Sequence, residues 1–297
     1  MEKAYQSISI SEFHLLFPDT DSCYLHLAGI KWKDGFSCTK CGHTRYSAGQ
    51  GKQTRKCTKC DHQMSPTSGT VFHNVKFDLL KAFQMVYFLS TTKNGMASTE
   101  LSRKVGLRQK TCWLFKRKIM TAMRSGGKHP LTGEIEVDET VVGGQESGTK
   151  GRQNVKKKLV VVAIERRKDG IARAYAQTIP NAGSKQLKPF FKSKIDMDAQ
   201  IKTDKWRGYT PLKDDFPNLE QTETGKKGKN FPVMHRWIMG MKSWLRGTHH
   251  HARDLQAYLD EYCYRYNRNN MREGIFDNLM QRMMTYPPKT YAQIIVS

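Results

Sequence analysis

Two Cys-x-x-Cys pairs constrain this chain before anything else does. Cys38-Thr39-Lys40-Cys41 and Cys57-Thr58-Lys59-Cys60 are separated by fifteen residues. Each pair can form a tight knuckle, and two knuckles place four thiolates at the corners of a tetrahedron suited to Zn²⁺. Gly42 and Asp61-His62 follow the knuckles as turn residues, and Arg45-Tyr46 and Thr54-Arg55-Lys56 supply short strand-like pieces between them. The pattern predicts a zinc ribbon over residues 31–70. So small a module has little apolar core, so the metal should supply much of its folding free energy. All four ligands are cysteine and no coordination position is left open, which makes the site structural. The other three cysteines (23, 112 and 263) are scattered, a usage that fits a reducing compartment better than a disulfide framework.

Before the ribbon, residues 1–30 read as a partly apolar helical segment, with Ser11 as a candidate cap. After it, residues 71–128 read as three helices. Phe77–Leu89 is apolar on most sides and should be buried. Ser98–Val105 is short and stops at Gly106, and Arg108–Met120 is longer and basic. Helix, glycine turn and basic helix predict a helix-turn-helix, whose second helix enters the major groove by its first turn. Arg108, Gln109, Lys110 and Thr111 would then reach base edges, and Lys116 and Arg117 would hold phosphates. A plain three-helix bundle with a solvated basic face has the same local pattern. The charge favours the former: Lys and Arg number 50 against 27 Asp and Glu, a net +23, as expected of a protein that meets a polyanion.

Ser125–Pro130 reads as a linker, and residues 129–297 as a third folded region. It opens on Gly133–Gly144, where β-branched Ile135, Val137 and Val141 predict a strand. Alternation puts Glu134, Glu136 and Asp138 on one face and Ile135, Val137 and Glu139 on the other. By itself this could be a solvated acidic edge. Gln145–Lys158 reads as a basic loop beside phosphates. Leu159–Glu165 and Ile171–Gln177 read as strands joined by a turn at Asp169-Gly170. Ser184–Ile195 reads as an amphipathic helix, and Ala199–Asp204 as a strand ending in a carboxylate. Three antiparallel strands, a helix and a further strand is the order of an RNase H-like α/β mixed sheet. In such a sheet the strands carrying Asp138 and Asp204 are neighbours, and paired carboxylates are what Mg²⁺ or Mn²⁺ need to act on a phosphodiester. A later helix, Met234–Leu245, carries His235 and Lys242 two turns apart on one face. Residues 254–268 predict another helix whose basic end touches DNA, and His249-His250-His251 a loop contacting phosphate. No apolar run approaches the ~20 residues of a membrane span, and the N-terminus lacks an apolar signal core. The expectation is a cytoplasmic, nucleoid-associated protein.

Taken together, the Cys-x-x-Cys ribbon, the helix-turn-helix pattern, Glu136–Gly144, Thr203–Tyr209, Lys242–His250 and Tyr258–Arg268 resemble zinc-ribbon DDE-type insertion-sequence transposases of the ISXO-type group. The resemblance runs over nearly the whole chain beyond residue 30, with the motifs in family order. It implies a transposase that binds terminal inverted repeats on double-stranded DNA, cleaves strands and joins them to a target, acting as a homodimer or higher oligomer. The family's catalytic metal ligands fall on Asp138, Asp204 and His235, and its lysine on Lys242. Many members carry Glu at the third position and some Asn. Histidine there leaves the site one negative charge short and suits Mn²⁺ better than Mg²⁺, so that Glu136 or Glu139 could be called on to compensate. A DNA-binding protein derived from a transposase but weak or inactive in catalysis is the alternative.

Overall fold

A computed structural model describes residues 8–125, 127, 129–143, 157–168, 170–223, 225, 230–249, 254–268 and 274–295. It divides into two compact units, Met1–Met123 together with Asn270–Ser297, and Arg124–Asn269.

The first unit begins with α1 (Ile10–Leu16) and α2 (Thr20–Lys31). The cap of α1 is Ser9 rather than Ser11: Ser9 accepts the Glu12 amide while Glu12 accepts the Ser9 amide, a reciprocal box that satisfies two open donors. β1 (Tyr46–Ala48), β2 (Arg55–Cys57) and β3 (Gln63–Met64) form the antiparallel ribbon. Its core is Phe36, Cys38, Cys57 and Met64, closed by Ala28 and Trp32 from the end of α2. The end of α2 is therefore part of the ribbon's support, while Phe13 of α1 packs on Tyr87 and Phe276. The Arg55 guanidinium lies between the rings of Trp32 and Tyr46, 4.2 and 4.1 Å from their centroids.

α3 (Leu79–Thr91) is capped by Asp78 and buried along most of its length. α4 (Ser98–Val105) ends at Gly106, whose φ of 64° closes the helix in the left-handed region, and α5 (Gln109–Met123) follows. Two helices near the C-terminus, α9 (Ile275–Thr285) and α10 (Tyr291–Ile295), complete this unit. Phe276 packs edge-on to Phe13 and tilted on Phe17, and the Val71 amide donates to the Met283 carbonyl at 3.0 Å. This corrects the expectation that residues 129–297 form one region. The apolar face of α9 (Ile275, Phe276, Leu279, Met280 and Met283) is buried against α2, α3 and α5.

The second unit is the RNase H-like sheet. β4 (Glu134–Val142), β5 (Lys158–Arg167) and β6 (Gly170–Ile179) run antiparallel in succession. A helix, α6 (Ser184–Lys194), crosses over to β7 (Gln200–Thr203), which pairs parallel to β4 with Val137 opposite Thr203. A 3-10 helix (Arg207–Asp214) leads to β8 (Leu219–Gln221), parallel to β7. The strand order is β6-β5-β4-β7-β8. One sheet face carries the core, with Ile135, Val137, Val161, Ala163 and Ile201 from the strands, Phe190 and Phe191 from α6, and Tyr209, Leu212 and Phe216. α7 (Pro232–Thr248) packs on β4, and α8 (Leu255–Arg268) on β6. α8 also closes the sheet edge: Asn267 exchanges two hydrogen bonds with the Ala174 backbone, and Gln256 bonds Thr178 and Ala176. An open edge strand invites pairing with another chain, and these amides occupy it.

Candidate active site

The ribbon brings its four cysteines together as the spacing predicts. One ligand atom from each of Cys38, Cys41, Cys57 and Cys60 lies within 4.8 Å of the others, with Sγ–Sγ distances of 3.6 Å for Cys38–Cys60 and for Cys41–Cys57. Four soft donors this close fit one tetrahedral metal. His43 and His62 hydrogen-bond to Thr58 and Thr39 and stay outside that group.

The acidic site is built where the parallel pairing of β4 with β7 stops, while β4 itself runs on to Val142 against β5. β4 carries Asp138 one residue beyond the last pair with β7, and Asp204 follows the end of β7 directly. The carboxyl end of a parallel strand, here β7, is where α/β sheets place their chemistry; Asp138 and Glu139 stay in the ladder with β5, opposite Val162 and Val161. Asp204 is held by its own turn: its Oδ1 accepts the Trp206 amide at 3.0 Å, and its carbonyl accepts the Thr203 hydroxyl at 3.0 Å. Carboxylate oxygens of Asp138, Glu139 and Asp204 lie within 4.8 Å of one another, each residue half-buried. Strict alternation had placed Glu139 away from Asp138. The two meet because Asp138 Oδ1 turns back to accept the Glu139 amide at 2.8 Å, so its carboxylate leans along the strand. The third group of this cluster is thus a glutamate, next in sequence to the first.

Tyr209, fully buried beneath the trio, is a feature that sequence reasoning missed. Burial above all, then the neighbouring carboxylates of Glu139, Asp138 and Asp204, hold its phenol well above the ordinary range. It remains a neutral phenol close to three negative groups. Its position inside the Trp206-Arg207-Gly208-Tyr209 run was the available signal. Glu136 is also buried, 8% exposed, and accepts from Arg166 Nη1 at 3.1 Å. Burial raises its carboxyl and Arg166 opposes the rise, while the Met234 amide at the start of α7 lies against it.

His235 and Lys242 both project from α7 and are half-buried. Lys242 senses Asp138: burial first, then Arg246, lower its ammonium, and the Asp138 carboxylate pulls it back up. His235 is not part of the group formed by the three carboxylates, and its Nε2 is buried without a hydrogen-bond partner among the described residues.

The six residues expected to contact DNA divide sharply. Arg108, Gln109 and Lys110 are exposed at the start of α5 and Thr111 is half-buried. Gln109 is bonded to Ser98 at 2.7 Å, which ties the start of α5 to α4. Lys116 and Arg117 are 4% and 6% exposed, and the Lys116 ammonium donates to the Met96 carbonyl at 2.8 Å. Holding phosphates from those positions is not compatible with this packing. Lys116 is four positions from Cys112 on one side and from Met120 on the other, so it lies in the inward stripe of α5. The basic end of α8 is likewise engaged internally, Arg265 with Glu261 and Asn267 with the sheet edge. The expected basic loop lies almost wholly outside the described residues, as do His250 and His251.

Residues 130–267 match the family described as the ISXO2-like transposase domain, and residues 18–63 match the transposase zinc-ribbon domain. Over 130 residues the chain is 28% identical to an uncharacterized protein in transposable element ISH50 of Halobacterium salinarum, covering 43% of this chain and 42% of that protein. The match thus spans less than half the length of the relative. A crystal structure of a pre-cleavage Mos1 transpososome aligns at 10% identity over 66% of this chain and 76% of that one, with a TM-score of 0.28. The chain carries a transposase zinc ribbon and a DDE transposase domain, and resembles insertion-sequence transposases.

Proposed function

We propose that this chain is the transposase of an insertion sequence, which binds the element's terminal inverted repeats and catalyses metal-dependent strand cleavage and transfer. The observation that carries the reading is the convergence of Asp138 and Glu139 on β4 with Asp204 just past β7 inside an ISXO2-like domain. Three hard carboxylates at that spacing fit divalent cations of the Mg²⁺ or Mn²⁺ type, as the four thiolates of the ribbon fit Zn²⁺. Bound at the carboxylates, such cations would supply activation of the attacking hydroxyl and charge neutralisation at the phosphate. Asp138 and Asp204 would hold them and Glu139 would complete the set, with the buried Tyr209 phenol close to the three carboxylates. Lys242 stands beside Asp138 as a cation for the phosphate oxygens. His235 is the third ligand implied by family resemblance; it would have to join the trio from α7 when cation and DNA are present.

DNA is held in this reading by the start of α5, through Arg108, Gln109, Lys110 and Thr111, in helix-turn-helix fashion, and the protein works on the nucleoid as a dimer or larger assembly that pairs two ends. The test is a cleavage and strand-transfer assay with the DNA that flanks the coding region, in Mg²⁺ and in Mn²⁺. Product should vanish in Asp138→Asn and Asp204→Asn. If both variants match the parent, the site is elsewhere. If the parent binds the repeats tightly yet makes no product with either cation, the alternative of a non-catalytic DNA-binding descendant holds, and the histidine at position 235 is its physical basis.

A further inference from the structure

A cavity of about 630 Å³ lies in the second unit at the same end of the sheet as the carboxylates. Val141, two residues beyond Glu139, lines it on one side, and Trp206, two residues beyond Asp204, on the other. Its volume falls within the ~300–1,000 Å³ typical of small-ligand sites, too small for a duplex. Lys157 and Arg207 line it and no carboxylate does, so its ligand should be an anion. Gly183 and Ser184 at the start of α6 also line it; no side chain caps that helix, and the Gly183 amide is bonded to Asn181 Oδ1 at 2.9 Å. Trp206 is half-buried against the sheet core, and its indole Nε1 donates to the Ala182 carbonyl at 2.7 Å. That bond fixes the ring by its edge. The backbone is packed to keep it there: a Cβ at Gly208 would come 2.2 Å from the Ala182 oxygen and 2.6 Å from the Trp206 Nε1.

We propose that this cavity receives one unpaired nucleotide of the DNA strand being processed, its base stacked on Trp206 and its phosphate held by Lys157 and Arg207. The proposal rests on the transposase reading above and adds a strand-end subsite to it. An aromatic ring with one cation, Arg207, 5.6 Å from its centroid and a second, Lys157, in the same lining matches both halves of a nucleotide, the π-surface of the base and the charge of the phosphate. A nucleotide can enter only if it is unpaired, so the cavity favours frayed or already cleaved ends over intact duplex. Its place beside Asp138 and Asp204 would hold that end against the reacting carboxylates and limit its freedom during cleavage.

The test uses the full-length, zinc-loaded chain and a duplex ending in a short single-stranded tail that carries 5-iododeoxyuridine. After irradiation, cross-linked peptides are mapped by mass spectrometry, and retention of the same DNA on a filter is measured in parallel. The tail should cross-link to the peptide containing Trp206. Trp206→Ala should lower that yield about tenfold, the scale of one base stacked on an aromatic ring, with filter retention nearly unchanged. Trp206→Phe, which keeps an aromatic face, should retain most of the yield and so separates loss of stacking from misfolding. Cross-links that map elsewhere in a parent chain that retains the DNA, and cleaves it in an Asp138-dependent way, overturn the cavity proposal alone. A parent that retains no DNA overturns the functional reading and this proposal with it.

Discussion

Replacing Asp204 by Asn should stabilise the protein in the absence of divalent cations while abolishing its chemistry. Asp138, Glu139 and Asp204 present oxygens within 4.8 Å of one another. Two like charges at that distance repel by about 1 kcal/mol in a water-like medium and about 3.5 kcal/mol at an effective dielectric of 20. Asp204 takes part in two of the three pairs. Since all three residues keep part of their surface in water, the lower half of that range applies, and neutralising Asp204 should relieve about 2–4 kcal/mol. Asparagine retains an oxygen to accept the Trp206 amide, which Asp204 accepts at 3.0 Å, so the local turn should survive. For a unit of this size the relief corresponds to a rise in Tm of roughly 5–10 °C. The assay is differential scanning calorimetry at low ionic strength, with zinc-loaded protein dialysed free of other metals, repeated with added Mn²⁺. The parent should gain about 2.7 kcal/mol when Mn²⁺ reaches a hundred times its dissociation constant, and the variant much less, so that their order of stability narrows or inverts. A variant that melts at or below the parent without divalent cation, and responds to Mn²⁺ equally, would refute the idea that these carboxylates form a cation site held together against their own repulsion.

Three further outcomes are expected. Chelating the ribbon's metal should unfold the small core around Phe36, Cys57 and Met64 and expose Trp32, read as a red shift in tryptophan fluorescence together with four newly reactive thiols. Burial pushes the Asp260 carboxyl up to about 6. A raised carboxylate contributes stability that is complete below its unfolded value near ~3.9 and lost as the pH rises through the folded one. Asp260→Asn should therefore match the parent near pH ~4 and exceed it by about 1–2 kcal/mol above pH ~7 in guanidinium unfolding, the ~3 kcal/mol implied by the full shift being reduced for partial exposure. Lys116→Met should cost about 1–3 kcal/mol by leaving the Met96 carbonyl without its donor, yet leave the salt dependence of DNA binding unchanged. Lys110→Ala should do the reverse, lowering the slope of log K against log salt by about 1 with little effect on stability.

Local chemistry determined the ribbon, because Cys-x-x-Cys spacing sets how thiolates can point whatever surrounds them. It also determined the sheet's first strands and the two aspartates, Asp138 within a β-branched run and Asp204 just after one, since a period of two needs no partner to be recognised. The turn at Gly106 was equally legible, as a left-handed position that glycine fills at least cost. Tertiary structure decided the rest. Glu139 joins Asp138 only because a side-chain bond to its own amide turns the aspartate along the strand. Lys116 and Arg117 are drawn inward by packing that a basic composition does not reveal. α9 returns to the first unit because Phe276 on its apolar face finds Phe13 and Phe17 there, a match between surfaces far apart in sequence. Periodicity fixes which face of an element is apolar. What that face meets depends on long-range complementarity, and no single stretch of the chain contains it.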